Sequence, residues 1–194
     1  MRKVIFSIPI TLDGYIEGPN RELNWVIADD ELHDFYTKLL KNADLILYGR
    51  VTYELMLNYW PTATSDSTIP GSMVRFANTL NPMSKVVFSR TLKNVGWNTK
   101  VVEALNPGEI LKMKSEEGRD ILLGGGASIA QVFMKYKLID ELQLVIQPVA
   151  IGRGKPLFNG MHDMFKLNLI WSQPFRSGAI ALCYLLNGGV ESHS

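Results

Sequence analysis

The sequence contains a single cysteine, Cys183, and carries almost no net charge. One cysteine cannot form an intrachain disulfide, which excludes a disulfide-stabilised scaffold and is typical of proteins from a reducing compartment. The 20 Lys and Arg residues are balanced by 19 Asp and Glu residues, so the formal charge is +1. Because a surface that neutralises a phosphate backbone needs an excess of cations, we expect no nucleic-acid partner.

Long apolar runs and clustered metal ligands are also missing. The N-terminus is basic and then apolar, but Asp13 and Glu17 interrupt it early, so it predicts a first strand rather than a signal peptide. No apolar run approaches the ~20 residues that cross a bilayer, and we expect a cytoplasmic protein without a membrane partner. The histidines, His33, His162 and His193, lack the paired spacing of metal ligands, so no metal site is predicted.

Strand and helix patterns alternate along most of the chain. As far as Pro148, the alternation predicts a mostly parallel sheet covered by helices on both faces. Two closing strands, Phe165–Pro174 and Ala179–Asn187, predict an antiparallel hairpin at the sheet edge. We therefore predict an α/β fold, a three-layer αβα sandwich, as one domain over residues 1–187 with a flexible tail over 188–194.

Turn residues, helix caps and changes of periodicity give the bounds of the other elements. The predicted strands are Lys3–Leu12, Asp44–Tyr48, Lys85–Ser89, Val95–Glu103, Asp120–Leu123 and Glu141–Pro148. The predicted helices are 29–42, Arg50–Tyr59, Ser72–Leu80, Pro107–Glu117 and Ala127–Lys137, and the Pro- and Thr-containing segment Trp60–Gly71 predicts a loop.

The most specific local motif is Gly124-Gly125-Gly126, which joins a predicted strand directly to a helix that begins with Ala127 and Ser128. Without Cβ atoms the backbone can approach a ligand closely, and the free N–H groups of the first helical turn favour an anion. The alternative is a tight turn whose glycines serve packing alone. The usual dinucleotide fingerprint is not met, because Ile129 stands where its third glycine should be.

Two further strand ends carry groups that suit a phosphate. Gly49, Arg50, Val51 and Thr52 follow one predicted strand, and the pair Ser89-Arg90 ends another. Open α/β sheets bind ligands at the carboxyl ends of their strands. Three such junctions on one edge predict a pyrophosphate or a phosphorylated nucleoside lying across it.

Taken together, these motifs resemble the dihydrofolate reductase-like fold and, within it, the reductase domain of riboflavin biosynthesis proteins and its stand-alone relatives. The resemblance covers the chain from Val4 to Leu186. It rests on Leu12-Asp13-Gly14-Tyr15-Ile16, Trp25 before an acidic helix start, Gly49-Arg50-x-Thr52, Val87-Phe88-Ser89-Arg90, the three glycines, and Gln147-Pro148-Val149-x-x-Gly152-x-Gly154-x-Pro156-Leu157-Phe158.

The resemblance implies an NADPH-dependent reductase. It implies that the segments Gly49–Thr52 and Gly124–Ser128 hold the pyrophosphate and that Ser89 and Arg90 meet the adenosine 2′-phosphate. It also implies that the nicotinamide is flanked by three apolar residues, Ile8, Pro9 and Ile16.

The acceptor is less sharply defined by the resemblance. It implies that Asp30 or Glu31 orients the acceptor or relays a proton, and it favours 5-amino-6-(5-phosphoribosylamino)uracil, with dihydrofolate second. Val145 and the segment Asn58–Pro70 depart from the patterns of those two enzyme types. A non-catalytic nucleotide-binding protein on the same fold therefore stays an alternative. We also expect a homodimer, because the closing hairpin offers a strand edge and apolar faces.

Overall fold

The computed structural model describes residues 1–93, 95–159 and 166–186. The strands are β1 (Val4–Thr11), β2 (Tyr15–Glu17), β3 (Ala43–Gly49), β4 (Ser84–Phe88), β5 (Thr99–Val102), β6 (Asp120–Gly124), β7 (Glu141–Gln147), β8 (Lys155–Pro156), β9 (Asn168–Pro174) and β10 (Ile180–Leu185). The helices are α1 (Asp30–Lys41), α2 (Arg50–Leu57), α3 (Gly71–Leu80), α4 (Pro107–Ser115) and α5 (Ala127–Lys135). The predicted tail over 188–194, His162, His193 and the hairpin ends Phe165 and Asn187 lie outside the described residues.

Eight strands form one sheet in the order β5-β4-β3-β6-β1-β7-β10-β9. All pairings among the first six strands of this order are parallel, whereas β10 runs antiparallel to both β7 and β9. The predicted α/β architecture, a mostly parallel sheet with an antiparallel closing hairpin, is therefore confirmed. The parallel topology brings the carboxyl ends of β3, β6 and β1 together at one edge.

Helices cover the sheet on both faces, as the apolar patterns predict. Helices α4 and α5 contribute Ile110 and Phe133 to the core of one face, and α2 and α3 contribute Tyr53 and Phe76 to the core of the other. Helix α1 begins where the side chain of Asp29 accepts a hydrogen bond from the N–H of Leu32 at 2.9 Å. This N-cap and the apolar residues at helical spacing explain where α1 forms.

The structure differs from the sequence prediction mainly in its shortest elements. Strands β2 and β8 were not predicted, and they exist because Tyr15 and Pro156, distant in sequence, pair with each other. Strand β5 begins at Thr99 rather than at Val95, because Trp97 and Asn98 have φ of 60° and 53°, which no strand residue adopts. The segment Trp60–Gly71, predicted as a loop, contains one 3-10 turn.

Ion pairs close the amino-terminal edge of the sheet. Lys114 on α4 lies with its Nζ 2.7 Å from a carboxylate oxygen of Asp140, and only 4% of the lysine side chain is exposed. The same carboxylate accepts a hydrogen bond from the N–H of Val4 at 2.8 Å. Arg2 forms an ion pair with Asp44 close by. These contacts join the amino ends of β1, β3 and β7 to the helix end of α4.

Lys85 is fully buried at the same edge, and it has no carboxylate partner among the residues that the structure describes. Its ammonium group donates to the carbonyl oxygens of Leu80, Asn81 and Met83 at 2.7–3.3 Å, and it lies 4.2 Å from the ring centre of Trp97. Burial lowers the pKa of Lys85 from 10.5 to about 8. The side chain therefore caps the carboxyl end of α3, where the helix dipole favours a cation.

Candidate functional site

Two helices begin side by side at the carboxyl edge of the sheet without a capping side chain. Gly49 is the N-cap of α2 and Gly126 is the N-cap of α5, and neither can supply a side-chain acceptor. The preceding strands are neighbours, since Tyr48 of β3 pairs with Gly124 of β6. Within the described part of the chain, the N–H groups of both first turns thus have no capping side chain, and such groups attract anions.

The three glycines of the strand-to-helix junction have different reasons to lack a Cβ. A Cβ at Gly124 would lie 2.5 Å from the ring of Tyr48, and one at Gly125 would lie 2.3 Å from Cγ2 of Ile129. Close packing thus excludes side chains at these two positions. A Cβ at Gly126 would meet only Ile16, at 3.8 Å. The protein's own packing therefore does not require this glycine, whereas a ligand that approaches the backbone would.

A cavity of about 360 Å³ opens beside these helix starts. It brings together most of the predicted phosphate-binding residues, namely Gly49, Arg50, Val51, Thr52, Gly126 and Ser128. The guanidinium of Arg50 is partly exposed and lies 2.8 Å from Glu54, one turn along α2. Lys155 also lines the cavity, 3.5 Å from a carboxylate oxygen of Glu17. The backbone amides, the hydroxyls of Thr52 and Ser128 and these two cations suit a pyrophosphate.

A larger cavity of about 430 Å³ lies next to the smaller one. Its lining includes the predicted nicotinamide-flanking residues Ile8, Pro9 and Ile16 together with the three glycines. The two cavities share several lining residues, among them Val51, Thr52 and Gly126. They therefore form one continuous groove, which runs from the helix starts to the face of the sheet.

Most of the wall of the larger cavity is aliphatic or aromatic. Helices α1, α2 and α3 line it with apolar side chains that include Leu39, Leu40, Leu55, Met56, Phe76 and Leu80. Among the polar residues that line it, Ser7 belongs to β1 and Tyr36 to α1. Burial raises the pKa of the Tyr36 phenol, and the nearby Ser7 hydroxyl opposes part of that rise. This part of the groove suits an apolar ring rather than a charged group.

Other predicted residues lie elsewhere. Ser89 is buried, and its Oγ accepts hydrogen bonds from the N–H groups of Thr91 and Leu92 at 3.2 and 3.1 Å, so it holds the turn after β4. Arg90 is exposed beside it, and neither residue lines the two cavities. Ala127 is buried and lines neither cavity. The contact of Ser89 and Arg90 with a 2′-phosphate stays a prediction.

The acidic residues at the start of α1 contact neighbouring elements. Asp30 accepts a hydrogen bond from the hydroxyl of Ser72 on α3. Glu31 accepts one from the N–H of Arg176, in the turn of the closing hairpin, at 2.8 Å. Neither carboxylate lines the two cavities, so their role toward an acceptor stays a prediction.

The prediction from sequence did not include four polar residues that line the groove. These are Ser7, Glu17, Arg21 and Tyr36. Ser7 alone carried a signal, as the one polar residue in the apolar run Val4–Ile10. Arg21 adopts a φ of 66°, which its neighbours in sequence do not predict.

Two side chains tie together the loops around the groove. The carboxylate of Asp13 accepts hydrogen bonds from the N–H groups of Ile151 and Gly152 at 3.1 and 2.7 Å. A hydrogen bond from Thr11 is the largest cause that lowers the pKa of Asp13. Buried Gln147 accepts from the N–H of Ile27 at 3.0 Å. The loops before α1 and after β7 are thus anchored to the ends of β1 and β7.

Within residues 1–93, 95–159 and 166–186, no helix is long and apolar enough to cross a membrane. The same residues contain no group of three or more His, Cys, Asp or Glu side chains placed to hold a metal ion.

The sheet order, the closing hairpin and the groove at the carboxyl edge define an α/β protein with the dihydrofolate reductase-like fold. A sequence model of the RibD C-terminal domain matches residues 2–181. The chain therefore belongs to the RibD C-terminal domain family.

Relatives and solved structures agree with this assignment. The chain is 34% identical over 187 residues to the uncharacterized protein YyaP of Bacillus subtilis (strain 168), covering 96% of both chains. A putative riboflavin biosynthesis protein from Shewanella sp. PV-4 has a similar structure, with a TM-score of 0.71 at 23% identity, and covers 95% of this chain and 98% of its own.

A longer protein shares the fold over part of its length. It is the diaminohydroxyphosphoribosylaminopyrimidine deaminase/5-amino-6-(5-phosphoribosylamino)uracil reductase of Thermotoga maritima, with a TM-score of 0.66 at 15% identity. The match covers 95% of this chain and 56% of that one. At these identities the solved structures establish the fold alone.

Proposed function

We propose that the protein is an NADPH-dependent reductase of a small heterocyclic or sugar-derived acceptor. The observation that carries the proposal is the continuous groove, in which two uncapped helix starts and the open backbone at Gly126 adjoin an apolar cavity. Family membership supports a reductase-type fold. When bound, NADPH would supply a hydride from its nicotinamide ring, and a proton from solvent would complete the reduction.

Different residues around the groove would bind different parts of NADPH. The first-turn amides of α2 and α5, with Thr52 and Ser128, would hold the pyrophosphate. Ile8, Pro9 and Ile16 would pack against the nicotinamide and exclude water from it. Such walls hold donor and acceptor carbons near contact, which is the main contribution that a protein makes to hydride transfer.

For the acceptor, we propose 5-amino-6-(5-phosphoribosylamino)uracil, reduced at its sugar carbon to the ribityl compound. The support is the family and the reductase named for the fold relative from Thermotoga maritima. Dihydrofolate is the natural comparison substrate. Oxidation of NADPH, followed by its absorbance in the presence of each acceptor, tests the assignment. Binding of NADPH without oxidation by any acceptor would favour the non-catalytic alternative.

Thermal unfolding with and without dinucleotide tests cofactor binding directly. NADPH should raise the unfolding temperature, because a ligand that binds only the folded state stabilises it. Arg90→Ala should weaken NADPH binding about tenfold and leave NADH binding unchanged, and Lys93→Ala, another exposed cation of the same loop, is the control. Equal losses of NADPH and NADH affinity would contradict a contact between Arg90 and the 2′-phosphate. If NADPH did not change the unfolding temperature of the wild type, the proposed function would be contradicted.

We also propose that two copies associate through the closing hairpin. Strand β9 lies at the end of the sheet, and 57% of Leu169 and 46% of Ile170 are exposed there. An exposed apolar edge strand is suited to pairing with a second copy. The mass in solution should be that of a dimer, and Ile170→Lys should give a monomer. A monomeric wild type would contradict this proposal.

A further inference from the structure

A carboxylate lies at the junction of the two cavities. The residues that line both cavities include Glu17, Arg21 and Thr52. Among the residues that the structure describes, Glu17 is the one acidic side chain that lines either cavity. Only 21% of this side chain is exposed. Its position is unexpected for a site that binds phosphate alone, because a carboxylate repels a phosphate.

The backbone of two short strands fixes the position of Glu17. Glu17 of β2 pairs with Lys155 of β8, and the Lys155 ammonium lies 3.5 Å from a carboxylate oxygen of Glu17. A Cβ at Gly154, which has a φ of 153°, would overlap the carbonyl oxygen of Glu17. The close approach of the two strands therefore depends on this glycine, and it holds Glu17 at the junction.

The two members of this ion pair face different parts of the groove. Of the two cavities, Lys155 lines the smaller one, whereas Glu17 lines both. The ammonium group is thus placed to contact a phosphate, and it offsets the negative charge of Glu17 beside that phosphate. A partly exposed ion pair at this distance contributes little to the stability of a fold. The carboxylate also retains lone pairs that can accept hydrogen bonds from a ligand at the junction.

The chemistry of a carboxylate limits the groups that it can bind there. An ionised carboxylate only accepts hydrogen bonds, so the ligand must supply donors that carry no negative charge. The hydroxyl groups of a sugar meet both conditions, and acidic side chains bind ribose hydroxyls in other dinucleotide sites. A ribose that joins a phosphate at the helix starts to a ring in the apolar cavity must also cross the junction, where Glu17 lies.

We propose that Glu17 accepts hydrogen bonds from the 2- and 3-hydroxyls of a ribose 5-phosphate unit, whose phosphate lies in the smaller cavity beside Lys155. The ring attached to this ribose then enters the larger cavity. The proposal rests on the proposed function in one respect, that the unit is the nicotinamide half of NADPH. Glu17 thereby distinguishes a ribose from a deoxyribose, which the apolar wall and the backbone amides do not.

The test compares ribose 5-phosphate with 2-deoxyribose 5-phosphate, which differ by one hydroxyl group. Titrations followed by the amide NMR signals of the protein give a dissociation constant for each probe. The wild type should bind ribose 5-phosphate roughly fivefold more tightly, which corresponds to one hydrogen bond. This preference should fall to about twofold in Glu17→Gln, because hydrogen bonds to a charged group are about twice as strong as neutral ones. It should disappear in Glu17→Ala.

The ratio of the two dissociation constants separates hydrogen bonding from charge, because both probes carry the same phosphate. Removal of a negative charge by itself would strengthen the binding of both probes equally. Glu54→Gln, which removes the carboxylate beside Arg50, is the matched control and should leave the wild-type ratio unchanged. Lys155→Met should weaken the binding of both probes to the same extent. An unchanged ratio in Glu17→Ala, or a wild type that binds neither probe, would overturn the proposal.

Competition with NADPH separates this proposal from the proposed function. NADPH should displace ribose 5-phosphate, and simultaneous binding of both would overturn the assignment to the nicotinamide half. A wild type that binds NADPH but has equal affinity for the two sugar phosphates would overturn the role of Glu17 alone. A wild type that prefers ribose 5-phosphate through Glu17 but does not bind NADPH would contradict the proposed reductase and support the ribose site.

Discussion

The two edges of the central sheet hold their cations in different ways. At the amino-terminal edge, Lys114 is buried against Asp140, and the ammonium of Lys85 is enclosed by carbonyl groups at the end of α3. At the carboxyl edge, Arg50 and Lys155 are partly exposed, and each contacts a single carboxylate beside a cavity. The helices run opposite to the strands that they cover, so helix carboxyl ends meet the first edge and helix amino ends meet the second.

The difference separates charges that serve the fold from charges that can serve a ligand. A buried lysine with fixed partners cannot turn toward a phosphate without leaving those partners unsatisfied. An exposed ion pair contributes little to stability, so exchanging its carboxylate for a phosphate costs little. Substitutions at the amino-terminal edge should therefore lower the stability of the fold and leave ligand binding unchanged. Substitutions at the carboxyl edge should weaken ligand binding and change the stability little.

The largest effect is expected at Lys114. Lys114→Met should lower the free energy of unfolding by about 3 kcal/mol, because it leaves the largely buried carboxylate of Asp140 without its cation. Urea unfolding measures the loss. Lys112→Met, an exposed lysine on the same helix, is the control and should change stability by less than about 0.5 kcal/mol. NADPH binding by the folded Lys114→Met variant should be normal. A loss of NADPH binding by the folded variant would contradict the view that cations of the amino-terminal edge serve only the fold.

A smaller loss in the free energy of unfolding is expected for a substitution of Lys85, and this loss should depend on pH. Lys85→Met should cost about 1–3 kcal/mol by leaving the carbonyl groups at the end of α3 unsatisfied. In the wild type the pKa of Lys85 is about 8 when folded against 10.5 ordinarily. Between these two pH values the unfolded chain binds more protons than the folded protein does. The contribution of Lys85 to the free energy of unfolding therefore rises with pH, and it is lost as pH falls through about 8.

Urea unfolding of both proteins at neutral pH and near the ordinary pKa of lysine measures this dependence. The difference in stability between the wild type and Lys85→Met should be larger at the higher pH. A difference that is independent of pH would show that the folded and unfolded states hold the Lys85 proton equally.

At the carboxyl edge, Gly126→Ala should affect binding more than stability. A Cβ at this position meets only Ile16 at ordinary contact distance, whereas one at Gly125 overlaps Ile129. Gly126→Ala should therefore fold with little change in unfolding temperature and bind NADPH about tenfold more weakly, a loss of ~1.4 kcal/mol. Gly125→Ala should unfold at a lower temperature. Normal NADPH binding by Gly126→Ala would mean that the ligand does not contact the protein backbone at Gly126.

A small effect on stability is also expected at Arg50. Arg50→Met removes an exposed pair within α2 and should change the free energy of unfolding by about 0.3–0.5 kcal/mol. NADPH binding should weaken severalfold and become less sensitive to salt, because one cation no longer faces the pyrophosphate. Titrations at two ionic strengths measure this. A larger loss of stability than of NADPH affinity would mean that Arg50 serves the fold, as the buried lysines of the amino-terminal edge do.

Much of the fold follows from local sequence. The run Asp44–Tyr48 is apolar on both faces, so a buried parallel strand was predicted, and β3 extends one residue further at each end. Strands β2 and β8 escaped prediction because a three-residue and a two-residue strand have no periodicity, and they form only by pairing across the loops. Local pattern predicts elements that could form alone, and long-range pairing decides the others.

The site was predictable where it depends on backbone and less so where it depends on side-chain direction. The glycine junctions were recognisable, because chain direction at a strand end is fixed by the fold. On a helix, a shift of one residue turns a side chain by about 100°. Asp30 and Glu31 therefore contact Ser72 and Arg176, while Tyr36, apolar in pattern and half-buried, faces the groove.

The carboxylate of Asp13 bridges two loops that are far apart in sequence, and Gln147 bridges a third to the sheet. Separation of these loops then requires that these hydrogen bonds break. Amide hydrogen exchange at Ile27, Ile151 and Gly152 measures the free energy of that local opening. Because protonation of a carboxylate removes its strongest acceptor character, acid below the already lowered pKa of Asp13 should release Ile151 and Gly152 together while Ile27 stays protected.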